Sequence, residues 1–169
     1  MKAVPRMMVF IPVDHDHATA IRAAGSSEEE FAAFAATGQM IKAHDYRPDE
    51  REDADYAAQL YASLAGLAKT GDDRRLVLAA DVPIARVHDG VADGSYGAIT
   101  VTGLDWSDVT AVFVDAPEAA DAVRKARQAL SAAADPVADH GLDAVLELPE
   151  ITALTDDHEL LWHTPGEDW

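Results

Sequence analysis

The amino-acid sequence predicts an α/β fold: a two-layer sandwich in which a mixed sheet of about six strands is covered mainly on one face by three or four helices. Two observations support this. The chain has 169 residues, which suits one domain spanning residues 1–169 with a substantial core. Short apolar runs rich in strand formers alternate with stretches whose apolar residues recur at helical spacing. The ferredoxin-like topology is the nearest simple label.

The first forty residues predict one strand and two helices. The apolar run from Met7 to Val13 predicts a buried strand, and Asp14 to Ala24 predicts a short helix. A Ser-x-x-Glu capping box at Ser26 or Ser27 predicts a second helix, which Gly38 ends.

The middle of the chain predicts a strand, the longest helix and the clearest strand. Gln39 to Tyr46 is predicted as a strand. Pro48 begins a helix that runs to about Thr70, because aromatic and aliphatic residues recur there at helical spacing. Arg75 to Val82 is almost continuously apolar, which is typical of a strand inside a sheet.

Beyond this strand the sequence predicts a loop, two strands, a helix and an edge strand. The loop is His88 to Ser95, and the strands are Tyr96 to Thr102 and Val109 to Asp115. Asp115 to Glu118 opens the helix, with Asp115 as its cap. Leu142 to Leu148 alternates apolar and polar residues, as an edge or half-buried strand does.

The charge balance excludes several classes of partner. Thirteen Lys and Arg face thirty-one Asp and Glu, for a formal net charge of −18, so a nucleic-acid backbone would be repelled.

No apolar stretch approaches a membrane span, and no cysteine is present. We therefore expect a cytosolic protein that binds neither nucleic acid nor membrane. No nucleotide-binding or nucleophile motif appears, so we expect no cofactor.

The first candidate site is the run that contains Asp14, His15 and His17. These are metal-ligand residue types, and two histidines at i, i+2 share a face only in an extended chain. On a helix they point about 200° apart. Because a helix is expected to begin here, the alternative is a solvated helix start with Asp14 as its cap.

The second candidate site lies in the tail. Glu159 and His163 can meet whether the segment is a helix or a strand, and a carboxylate–imidazole pair can serve as acid–base machinery. The alternative is a structural terminal element, in which Leu160 and Trp162 dock on the core while the polar residues face water.

Five segments together carry a family resemblance. They are Val9 to Pro12, Asp55 to Ala58, Leu76 to Pro83, Val109 to Asp115 and Asp157 to Trp162. In this order they resemble an uncharacterised family of actinobacterial proteins of similar length, known only as a domain of unknown function (DUF6912-like). The resemblance implies a bacterial, cytosolic, single-domain protein and brings no catalytic residue or mechanism.

Two classes of function stay open at this point. The first is a non-catalytic accessory or protein-interaction domain, acting as a homodimer or with an unidentified protein partner. It predicts an apolar patch or an exposed sheet edge. The second is a metal-dependent or acid–base enzyme that uses the His, Asp and Glu clusters above, and it predicts that these groups converge.

Overall fold

One sheet organises the chain. It is seen in a computed structural model, which describes residues 4–69, 71–90, 94–132 and 145–169. The strands are β1 (Arg6–Pro12), β2 (Ser26–Phe34), β3 (Leu76–Pro83), β4 (Val87–Asp89), β5 (Ala98–Asp105), β6 (Val109–Val114) and β7 (Leu161–His163). The α-helices that lie wholly within these ranges are α1 (His15–Ala24), α2 (Gly38–Ala43), α3 (Arg51–Lys69), α4 (Ala120–Ala132) and α5 (Pro149–Asp157).

The predicted α/β class is confirmed, and the sheet differs in detail. Its seven strands follow the order β4-β5-β2-β1-β3-β6-β7, and each neighbouring pair is antiparallel rather than mixed. The path from β1 through α1 leads to the adjacent strand β2. A ferredoxin-like split βαβ unit would hold another strand between them, so the topology departs from that label. No helix of the described ranges is both long and apolar enough to cross a bilayer.

The sheet is curved. Strands β5 and β6 are separated by three strands, yet only the turn Trp106–Asp108 joins them in the chain. In a flat sheet they would lie about 19 Å apart, whereas four Cα steps reach at most about 15 Å. The sheet therefore wraps around one buried cluster, to which β1, β2, β3, β5, β6 and α1 all contribute.

The opposite face of the sheet is covered by helices. Small side chains of α3, among them Ala54, Ala58 and Ala62, pack against Phe10 and Phe34 of the central strands. A further cluster then joins the other end of α3 to α4 and α5 through buried Leu, Val, Ala and Ile residues. The alanines allow α3 to approach the sheet closely, and α4 and α5 share a buried apolar cluster with it.

The predicted helix from Ser26 to Gly38 is wrong, because this segment forms β2. The strand pairs with β5 from Ser26 opposite Asp105 to Phe34 opposite Ala98, with a register shift between Ser27 and Glu30. Side chains from the second half of β2 are buried on both faces of the sheet. The stability gained from this burial outweighs the preference of the capping box for a helix. Local propensity is a weak prior that tertiary contacts override.

The predicted strand from Gln39 to Tyr46 is also wrong, because α2 occupies this position. Thr37 caps the helix by accepting a hydrogen bond from the main-chain N–H of Met40 at 3.1 Å. Met40 is fully buried and fixes the helix against the α3 side of the sheet. One anchor in six residues leaves too little periodicity to distinguish a helix from a strand.

The later predictions hold in part. The loop prediction from His88 to Ser95 misses β4, which covers its first two residues. Asp115 is not a helix cap: the cap position before α4 belongs to Ala116, and Asp115 is fully buried. For the predicted strand Leu142 to Leu148, residues 142–144 lie outside the described ranges, and residues 145–147 are helical.

Candidate functional site

The tail is held to the sheet by one buried ion pair. Arg75 and Asp115 flank the paired residues Leu76 and Val114, at the neighbouring ends of β3 and β6. The Arg75 guanidinium donates to both carboxylate oxygens of Asp115 at 2.8 Å, and the main-chain N–H of Arg75 donates to Oδ2 at 2.8 Å. The guanidinium also donates to the main-chain oxygen of His158 at 2.7 Å. This contact fixes the point at which the chain leaves α5.

From His158 the chain turns into β7, which forms one edge of the sheet. Leu161 lies opposite Val114, Trp162 opposite Phe113, and His163 opposite Val112. Residues directly opposite each other share a face, so Trp162 projects on the α3 side and Leu161 on the other. Trp162 is 59% exposed and Leu161 is 47% exposed. Both faces of the edge strand thus present a large apolar side chain to solvent.

The two residues predicted to dock the tail behave differently. Leu160 is partly buried and packs against the cluster around Phe10, as expected. Trp162 does not dock on the core: it lies on the edge strand β7 and its side chain is mostly exposed. The docking aromatic is instead Trp169, which packs against the cluster inside the curved sheet. The Arg22 guanidinium lies 4.6 Å from its ring centre.

The predicted pair of Glu159 and His163 is separated. His163 Nδ1 lies 3.3 Å from Glu167 Oε2, and the Thr164 hydroxyl donates to the other oxygen of Glu167 at 3.0 Å. Hydrogen bonds from Thr164 and from His163 lower the pKa of Glu167. Glu159 instead lines a cleft of about 20 Å³ together with His158 and Arg75. The strand begins only at Leu161, so Glu159 and His163 do not belong to one regular element. Their acid–base role stays a prediction.

The three residues of the first candidate site have separate partners. Asp14 caps α1 by accepting from the main-chain N–H of His17 at 2.6 Å. His15 Nε2 lies 2.6 Å from the main-chain oxygen of Trp169. His17 Nε2 lies 2.8 Å from Glu29 Oε2. Within the described ranges, no three His, Asp or Glu residues group as a metal site.

A polar groove beside β2 is not predicted by the sequence. Its void of about 360 Å³ is lined by Ser26, Ser27, Glu28, Arg86, Thr102, Gly103 and Asp105. At its rim the Ser27 hydroxyl donates to Glu29 at 2.9 Å. Hydrogen bonds from His17 and Ser27 lower the pKa of Glu29. No local pattern indicates this groove, because the segment from Ser26 is predicted as a helix, which would point these side chains in different directions.

The role of Arg75 in the ion pair is also not predicted, although its position in the sequence carries a signal for it. It immediately precedes the apolar run of β3, and Asp115 immediately follows that of β6. If these strands are antiparallel neighbours, an Arg and an Asp at these positions lie side by side. The pairing could be inferred only once the strand order was known, because the two residues are 40 positions apart.

Comparison with protein-family models matches residues 7–168 to a family of unknown function, DUF6912. The chain belongs to the DUF6912 family. Comparisons with curated proteins and with solved structures find no match. The DUF6912 match begins within β1 and continues through β7, so the exposed edge strand lies inside the matched range. The predicted family resemblance is thereby confirmed.

Proposed function

We propose that this DUF6912 protein is a non-catalytic, cytosolic interaction domain that binds a partner protein through β7. The observation that carries the proposal is the exposure of Leu161 and Trp162 on the last strand of the sheet. An edge strand offers main-chain N–H and C=O groups that are free to pair with another strand. Tryptophan is among the residues that contribute most to protein–protein binding energy.

The way β7 is held supports this proposal. The buried Arg75–Asp115 pair fixes the start of the tail, and Leu160 packs on the sheet just before the strand. Pairing with β6 then sets which face each side chain takes. A surface that is ordered before binding loses less conformational entropy when a partner docks. Exposed apolar side chains on an ordered edge are therefore suited to recognition.

The test compares two variants in affinity purification from cells that express the protein. Leu161→Ser/Trp162→Ser removes the apolar side chains of β7. Ile84→Ser is the matched control, because Ile84 is 44% exposed and lies away from β7. We expect wild type and Ile84→Ser to retain a stoichiometric partner that the β7 variant loses. Binding between the purified protein and its purified partner should depend on β7 in the same way.

Sedimentation of the purified proteins covers self-association. A dimer that only the β7 variant loses would also support binding through this edge. The proposal is contradicted if every association, with a partner or with a second copy, is the same for wild type, the control and the β7 variant. Neither variant should change stability by more than about 0.5 kcal/mol, because both alter exposed side chains.

A further inference from the structure

The surroundings of β7 are strongly acidic. The sequence contains no Lys or Arg after Arg127. In the described residues from 145 to the end, every charged side chain apart from histidine is a carboxylate, and all of these are exposed: Glu147, Glu150, Asp156, Asp157, Glu159, Glu167 and Asp168. Exposed carboxylates therefore both precede and follow β7 in the chain, with Glu159 before the strand and Glu167 after it.

Basic residues near the end of β6 do not offset this charge. Arg75 is buried and is matched by Asp115. Arg74 is partly buried and donates to the main-chain oxygen of Asp115 at 3.1 Å. Glu167 also holds its charge in mild acid, because hydrogen bonds from Thr164 and His163 lower its pKa. These two arginines therefore bond Asp115 and the main chain of His158, not the carboxylates of the tail.

A second copy of this chain is a poor occupant of such an edge. An antiparallel pair of β7 strands would bring the acidic segments that flank the strand in one copy close to those of the other, twice by symmetry. Each copy also carries a formal net charge of −18. Like charges placed across an interface cost several kcal/mol in complexes generally. The charge of the edge therefore favours a different protein.

We infer that the occupant of β7 is an extended segment of a partner protein, with Lys or Arg on both sides of one or two apolar residues. This inference rests on the proposed function and names its partner class. The segment would add as a new edge strand through main-chain hydrogen bonds, with an apolar or Arg side chain over Trp162. Its flanking cations would face Glu159 and Glu167. Because β7 has only three residues, the charges supply much of the orientation and association rate.

The test uses three labelled, end-blocked peptides of about ten residues, the upper end of the usual range of strand lengths. One alternates Arg and Val, one alternates Glu and Val, and one is the Arg–Val peptide with every second Val replaced by Pro. The Pro peptide keeps the charge but cannot complete the main-chain ladder. Binding is measured by fluorescence anisotropy to wild type, Ile84→Ser, Leu161→Ser/Trp162→Ser and Glu159→Gln/Glu167→Gln.

We expect the Arg–Val peptide to bind wild type and Ile84→Ser at least tenfold more tightly than the β7 variant. It should also bind at least tenfold more tightly than the Pro peptide, and the Glu–Val peptide should not bind. The Glu159→Gln/Glu167→Gln variant should lose several-fold in affinity, and added salt should weaken binding to wild type. Equal binding of the Arg–Val and Pro peptides, or equal binding to wild type and the β7 variant, would overturn the inference.

The two proposals fail in distinguishable ways. Affinity purification could yield a partner that requires β7 while the Arg–Val peptide binds wild type and the β7 variant equally. In that case the inference of a basic partner segment is wrong and the proposed interaction function stands. If a β7-dependent dimer is found instead, the second copy is the occupant and the inference is again wrong. If neither the peptide nor any association depends on β7, both proposals are wrong.

Discussion

At the scale of single residues, the buried pair of Arg75 and Asp115 links segments of the chain that no sequence motif connects. Their side chains are 4% and 0% exposed, and the hydrogen bonds between them are supplemented by a bond to the main chain of His158. A buried ion pair contributes little net stability compared with an apolar pair, but removing one partner leaves an uncompensated charge. Its specific effect here is to join β3, β6 and the tail.

This pair gives the first prediction. Arg75→Met should lower the free energy of unfolding by about 3–5 kcal/mol, because the Asp115 carboxylate would remain buried without its counter-charge. The double variant Arg75→Met/Asp115→Leu should be less destabilised than the sum of the single variants. Urea unfolding followed by circular dichroism measures both. A single-variant loss below about 1 kcal/mol would contradict the role assigned to the pair.

Asp55 gives a prediction with a defined pH dependence. Burial raises the pKa of Asp55 above the usual value for an aspartate, and the Arg51 guanidinium, 3.7 Å away, only partly opposes this. A carboxyl pKa that is higher in the folded than in the unfolded state means that folding opposes ionisation. Ionised Asp55 therefore lowers the free energy of unfolding above about pH 4, and protonated Asp55 does not lower it below that pH.

Asp55→Asn should therefore stabilise the protein at pH 7, by less than about 1 kcal/mol because the side chain is about one-third exposed. At pH 3 wild type and variant should be equal. Thermal unfolding at the two pH values tests this, with Asp53→Asn in the same helix as the control. A variant that is less stable than wild type at pH 7 but not at pH 3 would reverse the assigned sign.

At the scale of elements, α1 shows how local signals succeed when nothing opposes them. Asp14 caps its start, Ile21 and Ala18 are buried, and Gly25 closes it in the left-handed conformation with φ of 83°. The sequence predicts this helix within one residue. In the next segment the capping box at Ser26 is equally clear, yet β2 forms because β5 and β1 lie on either side of it. Sheet neighbours that are distant in sequence decide that element.

The cap of α1 gives the third prediction. Asp14→Ala should lower the free energy of unfolding by about 1 kcal/mol, since the main-chain N–H of His17 loses its acceptor. Asp16→Ala is the matched control in the same turn, because Asp16 is exposed and does not cap. Chemical denaturation of both variants measures the difference. Equal losses would show that general charge near the helix start, rather than the cap, is responsible.

At the scale of the whole molecule, the excess of carboxylates opposes compaction. A formal net charge of −18 on 169 residues creates repulsion that added salt screens, with a Debye length of about 10 Å at 0.1 M. The melting temperature should therefore rise by several degrees between about 0.02 M and 0.5 M NaCl. Differential scanning calorimetry gives the measurement. A melting temperature that falls over this range would mean that attractive ion pairs outweigh the repulsion.

The sequence alone determined the α/β class, the long helix α3 and the buried strand β3, because the apolar patterns that indicate helices and strands span only a few turns or residues. Five segments, taken in order along the chain, indicated the family. The sequence also singled out the tail. Only the tertiary structure decided that Trp162 is exposed while Trp169 docks, and that Glu159 and His163 have different neighbours. These outcomes depend on which strand lies beside β6 and how the sheet curves. Such contacts join residues far apart in the chain, and no local pattern records them.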